Sequence, residues 1–186
     1  MSIDAPLLRR LTANRWLIPI LARMHAEPGS RFGALVRQLK VSRSVLSASL
    51  DTLEREGWIA RNPGHGHPLR PEYMLTAEGR RAAAWAAIAD EQFAGSELRR
   101  WTLPALLEIA NGQSRFGGLS TALPNITPRA LSMSLDQLIK LGWAEKAAQP
   151  SSHPRYAMTD DGAELIGRLH LTVTGGSAQP ASLEAL

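Results

Sequence analysis

The chain repeats itself, and that repeat limits its architecture more than any other feature. Arg15-Trp16-Leu17-Ile18-Pro19 returns as Arg100-Trp101-Thr102-Leu103-Pro104. Ser30-Arg31-Phe32-Gly33 with Leu35 returns as Ser114-Arg115-Phe116-Gly117 with Leu119. Leu46-Ser47, Ser49-Leu50-Asp51, Leu53 and Gly57-Trp58 return as Leu131-Ser132, Ser134-Leu135-Asp136, Leu138 and Gly142-Trp143. Pro71, Tyr73, Thr76 and Gly79 return as Pro154, Tyr156, Thr159 and Gly162. The offset stays between 83 and 85 and slips only where loops are expected. A fixed period over this length marks a duplicated module. A unit of about 85 residues buries enough apolar surface to fold, though marginally.

Each copy reads as the same string of elements. Trp16–Met24 is an apolar helix with Pro19 in its first turn, where a missing N–H costs nothing. Pro104 takes the same place behind Thr102, the expected N-cap of the matching helix. Phe32, Leu35, Val36 and Leu39 line one face of a second helix, matched by Phe116, Leu119 and Leu123. After a break at Lys40-Val41, or at Pro124-Asn125-Ile126, Ser42 and Thr127 stand as N-caps of a third. That helix buries Leu46, Leu50 and Leu53, or Leu131, Leu135 and Leu138, and ends at Gly57 or Gly142 as a left-handed C-cap. Two strands, Trp58–Arg61 and Glu72–Leu75, flank a loop too rich in Pro and Gly for a central strand. Thr76 and Thr159 then cap a further helix. Helix, helix, helix, strand, loop, strand, helix is a winged helix-turn-helix.

The expected fold is therefore mainly α with small β-wings, two tandem winged helix-turn-helix units joined by a shared Ala-rich helix. Unit 1 spans 1–93 and ends in a connecting helix at about 78–98, in which Trp85, Ile88 and Ala89 lie along one stripe. Unit 2 spans 94–174 and closes with a short helix, Asp161–Leu171; residues 175–186 read as a flexible tail. Trp16, Trp58, Trp101 and Trp143, repeated at element edges, are expected to pack in the core and not to stack on bases.

The run Arg115-Phe116-Gly117-Gly118-Leu119, then Leu123-Pro124-Asn125-Ile126-Thr127-Pro128-Arg129-Ala130-Leu131, with Leu135, Leu138 and Gly142, resembles the signature of the HxlR family. Arg31-Phe32-Gly33-Ala34-Leu35 and Tyr73-Met74-Leu75-Thr76 with Gly79 carry the same resemblance in the first copy. It covers roughly residues 5–170 and implies a bacterial transcription regulator. Such proteins work typically as homodimers, with a helix in the major groove and a wing along the DNA backbone. Two departures matter. Many relatives carry a redox-sensing cysteine near the N-terminus, where this chain has Asp4-Ala5-Pro6-Leu7, and the usual chain has one winged unit.

Recognition helices at about 42–55 and 127–140 expose Arg43, Ser44, Ser47, Ala48 and Asp51 in one copy and Pro128, Arg129, Ser132, Met133 and Asp136 in the other. The first turn of such a helix reaches base edges first. Arg pairs bidentately with guanine, and Ser serves a base or a phosphate. The expected DNA-binding set is Ser42, Arg43, Ser44 and Ser47, with Thr127, Arg129 and Ser132 opposite. Arg31 and Arg115 precede the second helix of each copy, where phosphate contacts belong. The wings add Arg61, His65, His67 and Arg70, and in copy two Lys146, His153 and Arg155. His65-Gly66-His67 lacks a third ligand and makes a weak metal pair, so no metal or other cofactor is expected.

Charge fits a polyanionic partner. Residues 1–93 carry 13 Lys and Arg against 9 Asp and Glu, whereas residues 94–186 carry 8 of each, so the whole net charge of +4 sits in the first half. The absence of cysteine excludes disulfides, thiolate zinc sites and thiol sensing. No export signal is read in Met1–Arg10 and no apolar run approaches the ~18 residues of a membrane span, so a cytoplasmic protein, nucleoid-associated when on DNA, is expected. Phosphate-binding glycine loops and nucleophile motifs are missing, which argues against an enzyme. The expected function is sequence-specific binding of double-stranded DNA by an internal pseudo-dimer, with further homodimerisation left open. The alternative is a winged-helix adaptor for other proteins, favoured by Asp51 and Asp136 on the reading faces.

Overall fold

The computed structural model describes residues 5–27, 29–62, 72–93, 98–147 and 154–174. The first half contains α1 (Ala5–Leu11), α2 (Leu17–Ala26), β1 (Ser30–Arg31), α3 (Phe32–Leu39), α4 (Arg43–Arg55), β2 (Ile59–Asn62), β3 (Glu72–Leu75) and α5 (Ala77–Phe93). The second contains α6 (Thr102–Ala110), α7 (Phe116–Ala122), α8 (Pro128–Lys140), β4 (Ala144–Ala147), β5 (Arg155–Met158) and α9 (Asp160–Thr174). The duplicated winged helix-turn-helix is thus present in the fold.

Caps set the limits of α4 and α8. Ser42 Oγ accepts the amide of Val45 at 3.4 Å, and Thr127 Oγ1 accepts that of Ala130 at 3.2 Å. At the other end Gly57 and Gly142 both take φ +73°, in the left-handed region where a Cβ is strained. The Trp58 amide then donates to Leu53 O and the Trp143 amide to Leu138 O, each at 3.0 Å. With Gly57 donating to Glu54 O and Gly142 to Ile139 O, each stop is a Schellman motif. Both tryptophans are buried.

The chain next folds back on its own stop. The amides of Thr76 and Thr159 donate to the carbonyls of Trp58 and Trp143, at 3.0 and 3.2 Å. Their hydroxyls donate to Gly57 O and Gly142 O and accept the amides of Gly79 and Gly162. A Cβ at Gly79 would lie 1.7 Å from Trp58 O, and one at Gly162 would lie 2.2 Å from Trp143 O. Only glycine lets α5 and α9 come this close.

In the first wing β3 pairs antiparallel with both β2 and β1, Ile59 opposite Leu75 and Ser30 opposite Tyr73. In the second β4 pairs with β5, and the partner of β1 is reduced to a bridge between Arg115 and Arg155. The hairpin strand expected from Trp58 begins one residue later, because the Trp58 amide is committed to the α4 stop.

One hydrophobic core runs through both halves. α5 packs along α2 and also against α9, while α1 packs on α6. Trp85, Ala82, Ala83, Ala86 and Ala89 of α5 are buried, the small residues allowing close helix approach. On the surface Arg168 Nη2 of α9 meets Glu91 Oε2 of α5 at 3.2 Å. α5 closes the first unit and touches the second, as expected of a connecting helix. Leu98, at which the expected span of about 78–98 ends, is not helical.

Other expectations need correction. Thr102 is not an N-cap: it is the first residue of α6, and its Oγ1 donates instead to Gln137 Oε1 of α8 at 2.5 Å. α9 extends past the expected Asp161–Leu171 at both ends, its backbone staying helical through the poor helix formers Thr172, Val173 and Thr174. α1 was not foreseen; seven residues form a helix here because Leu8 and Leu11 are buried by the fold.

If the contact at Trp58 O governs assembly, Gly79→Ala lowers the unfolding free energy by about 1–3 kcal/mol, the usual cost of overpacking. Gly33→Ala in α3, where an added Cβ meets nothing within 4 Å, leaves it unchanged or slightly raised. Urea titration of the two variants checks both outcomes.

Candidate nucleic-acid interface

A helix that buries one stripe must present the opposite one. In α4 the buried residues are Leu46, Ser49, Leu50 and Leu53; in α8 they are Leu131, Ser134, Leu135 and Leu138. Arg43, Ser44, Ser47, Ala48 and Asp51 are exposed, as are Pro128, Arg129, Ser132, Met133 and Asp136. Both outward faces follow the sequence expectation residue by residue.

The backs of these helices are anchored by polar contacts. Asn14 Nδ2 donates to Ser49 Oγ at 3.2 Å, and Ser49 Oγ donates in turn to Val45 O. In the second half Gln137 Oε1 accepts both the Arg99 amide and the Thr102 hydroxyl. Each recognition-type helix is thereby tied to the chain entering α2 or α6. Arg15 lies over the Trp16 ring at 5.0 Å and Arg100 over Trp101 at 4.9 Å, so these repeated cations stack on half-buried indoles.

The basic residues fall into two groups. Among the described residues Arg43 and Arg129 have no carboxylate within ion-pair distance, and both stand in the first turn of their helices. Arg43 is the first helical residue of α4, whereas Arg129 is the second of α8. Arg115 is exposed at the N-cap of α7, and Arg155 is half-buried in β5. By contrast Arg31 is held by Glu72, Nε and Nη2 each 2.9 Å from Oε1. Arg61 is clasped by two acids of α4, Asp51 at 3.0 Å and Glu54 at 3.2 Å, and its guanidinium lies 5.5 Å from the Tyr73 ring centroid. Ser42 and Thr127 cap helices as well as facing outward. His65, His67, Arg70 and His153 lie outside the described residues.

Arg61 changes what Asp51 does. A carboxylate on an outward helix face would repel phosphate, but this one is compensated by a cation ten residues away. In copy two Lys146 stands where Arg61 does and Ile139 where Glu54 does, and no described cation pairs with Asp136. Asp136 instead acts on Tyr156: burial chiefly, and then the Asp136 charge, raise the phenol's pKa above its ordinary value. The two faces are alike in shape and unlike in charge.

Among the described residues no group of three His, Asp or Glu side chains is placed to hold a metal ion. No described helix is long and apolar enough to cross a membrane. An open depression of about 300 Å³ between α2, α3 and α5 is bordered by Arg23, Gln38 and Asp90. Burial raises the Asp90 carboxyl's pKa, and Arg23 opposes the rise.

The caps and the outward arginines separate by their effect on folding. Thr127→Ala is expected to lower the unfolding free energy by about 1 kcal/mol, the usual cost of an N-cap. Arg129→Ala, two residues on, should stay within about 0.5 kcal/mol of the parent. Thermal or urea unfolding monitored by circular dichroism measures both.

The model of the HxlR-like helix-turn-helix family matches this chain twice, over residues 11–89 and 98–178. YvaP of Bacillus subtilis, an uncharacterised HTH-type transcriptional regulator, is 33% identical over 69 residues, 36% of this chain and 64% of its own length. YdzF of the same organism, described in the same words, is 34% identical over 71 residues, 38% of this chain and 65% of its own. The chain therefore spans just under two thirds of each of these curated relatives. With both matches together covering most of its length, the chain belongs to the HxlR-like helix-turn-helix family and carries that module in two tandem copies.

Proposed function

We propose that the protein regulates transcription by binding double-stranded DNA in a sequence-specific manner, with α4 and α8 in successive stretches of major groove. The observation that carries this reading is the pair of outward helix faces, each opening on a capped N-terminus and an arginine without a described carboxylate partner. Such a helix end points backbone N–H groups and the positive end of the helix dipole at whatever it meets, which suits DNA. The relatives' names as HTH-type transcriptional regulators support the same assignment.

The wings would lie along the sugar-phosphate backbone and position the protein without reading sequence. Arg115 and Arg155 serve there in copy two. In copy one Arg31 and Arg61 must share their charge with Glu72, Asp51 and Glu54, so their phosphate contacts are weaker than a count of cations implies. His65, His67 and Arg70 belong to the same expected backbone-contacting wing.

The two units work as an internal pair. Contacts of α5 with α9 and of α1 with α6 join them through a common core, doing within one chain what a homodimer does between two. Because the arginines stand one helical position apart, the DNA site is asymmetric. The adaptor reading draws on Asp136 alone, since Asp51 is compensated by Arg61.

Titration of the full chain with its selected duplex at several salt concentrations tests the proposal. Affinity should fall linearly in log–log form with a slope of about −0.9 per phosphate contacted. Arg43→Ala and Arg129→Ala should each cost about 1–3 kcal/mol of discrimination at different base pairs. A flat salt response, or selection of no sequence, contradicts the assignment.

A further inference from the structure

Most large apolar side chains of the described residues are buried or half-buried. Among the described residues three are exposed: Val45 at 38%, Met74 at 46% and Met133 at 36%. Met74 sits in the wing strand β3, where Asn62 Nδ2 approaches its sulfur at 3.8 Å. Val45 lies on the flank of α4, about 90° around the helix from the centre of the face that Leu46, Ser49, Leu50 and Leu53 bury.

Met133 differs. Leu131, Ser134, Leu135 and Leu138 face the core of α8, which puts Met133 near the middle of the opposite face. Arg129 is four residues before it and so stands beside it one turn nearer the N-terminus, with the exposed Ser132 adjacent. An apolar side chain next to an arginine and a serine fits the floor of a major groove. There the one apolar feature on a base edge is the thymine 5-methyl group. Methionine is long, unbranched and polarizable, and adapts its shape to such a contact. At the same place α4 carries Ala48, whose single carbon cannot reach as far.

We propose that Met133 is a specificity residue that reads a thymine methyl group in the half-site bound by α8, and that Ala48 leaves α4 without the equivalent contact. The two copies then differ in what they recognise, not only in charge. This rests on α8 being a groove-reading helix.

The test uses the full chain and the duplex it selects from a random library. Each thymine is replaced in turn by deoxyuridine, which removes only the methyl group. One position in the α8 half-site should lose about fourfold in affinity, the size expected for one buried methyl group. Met133→Ala should bind the thymine and uracil forms equally, and Ala48→Met should create a methyl-sensitive position in the other half-site. Since both side chains are exposed, circular dichroism should show unchanged folding.

A wild-type protein indifferent to every methyl group overturns the proposal, as does an M133A variant with undiminished methyl sensitivity. So does a change of oligomeric state in M133A without change in base preference, which would make Met133 part of a protein contact. Selection of no sequence at all, with Arg43→Ala and Arg129→Ala equally silent, fails the groove-reading assignment itself and takes this inference with it.

Discussion

The carbonyl of Trp58 is the joint on which the first unit depends, and that of Trp143 serves the second. At each, a helix has just ended in a left-handed glycine, a wing is about to begin, and the next helix returns to touch the same peptide. The threonine that opens the returning helix satisfies the glycine carbonyl through its hydroxyl and the tryptophan carbonyl through its amide. A missing Cβ at Gly79 or Gly162 allows the approach. Buried carbonyls left unpaired are costly, so this small cluster fixes three elements against one another with little freedom. The outward face of α4 or α8 inherits its direction from that joint.

What the joint does within a unit, α5 does between units. Its length and its small buried residues let it lie along α2 while reaching α9, and α1 completes the contact by packing on α6. Neither half then has a separate core. The outward faces of α4 and α8 are thereby carried on one core, and they are unequal. Arg61 compensates Asp51 in one, Asp136 stands without a described cation in the other, and Ala48 occupies the position that Met133 holds in the second copy. Duplication inside one chain permits this, because the two copies can change independently while a homodimer's cannot.

Much of this was legible in the residues. Caps and stops are local: Ser42, Thr127, Gly57 and Gly142 act within a few residues of their own positions, so their types and spacing reveal them. The outward faces follow from the 3.6-residue period. Contacts that depend on register or on distant packing were not legible. The clasp of Arg61 by Asp51 and Glu54 arises only once the β2–β3 hairpin lies beside α4. Thr102 offered the chemistry of a cap, yet its hydroxyl was taken by Gln137, 35 residues away. α1 has too little length to announce itself and exists because Leu8 and Leu11 have somewhere to be buried. The expected wing residues His65, His67, Arg70 and His153 stand outside the described residues.

In the proposed function one chain presents both α4 and α8 to one DNA site. The mass of the complex at saturation, by sedimentation or native mass spectrometry on a duplex holding a single selected site, tests it most directly. One chain per duplex, with protection over two neighbouring major-groove segments, is the predicted result. Two chains per duplex, each contributing one recognition helix, would contradict it.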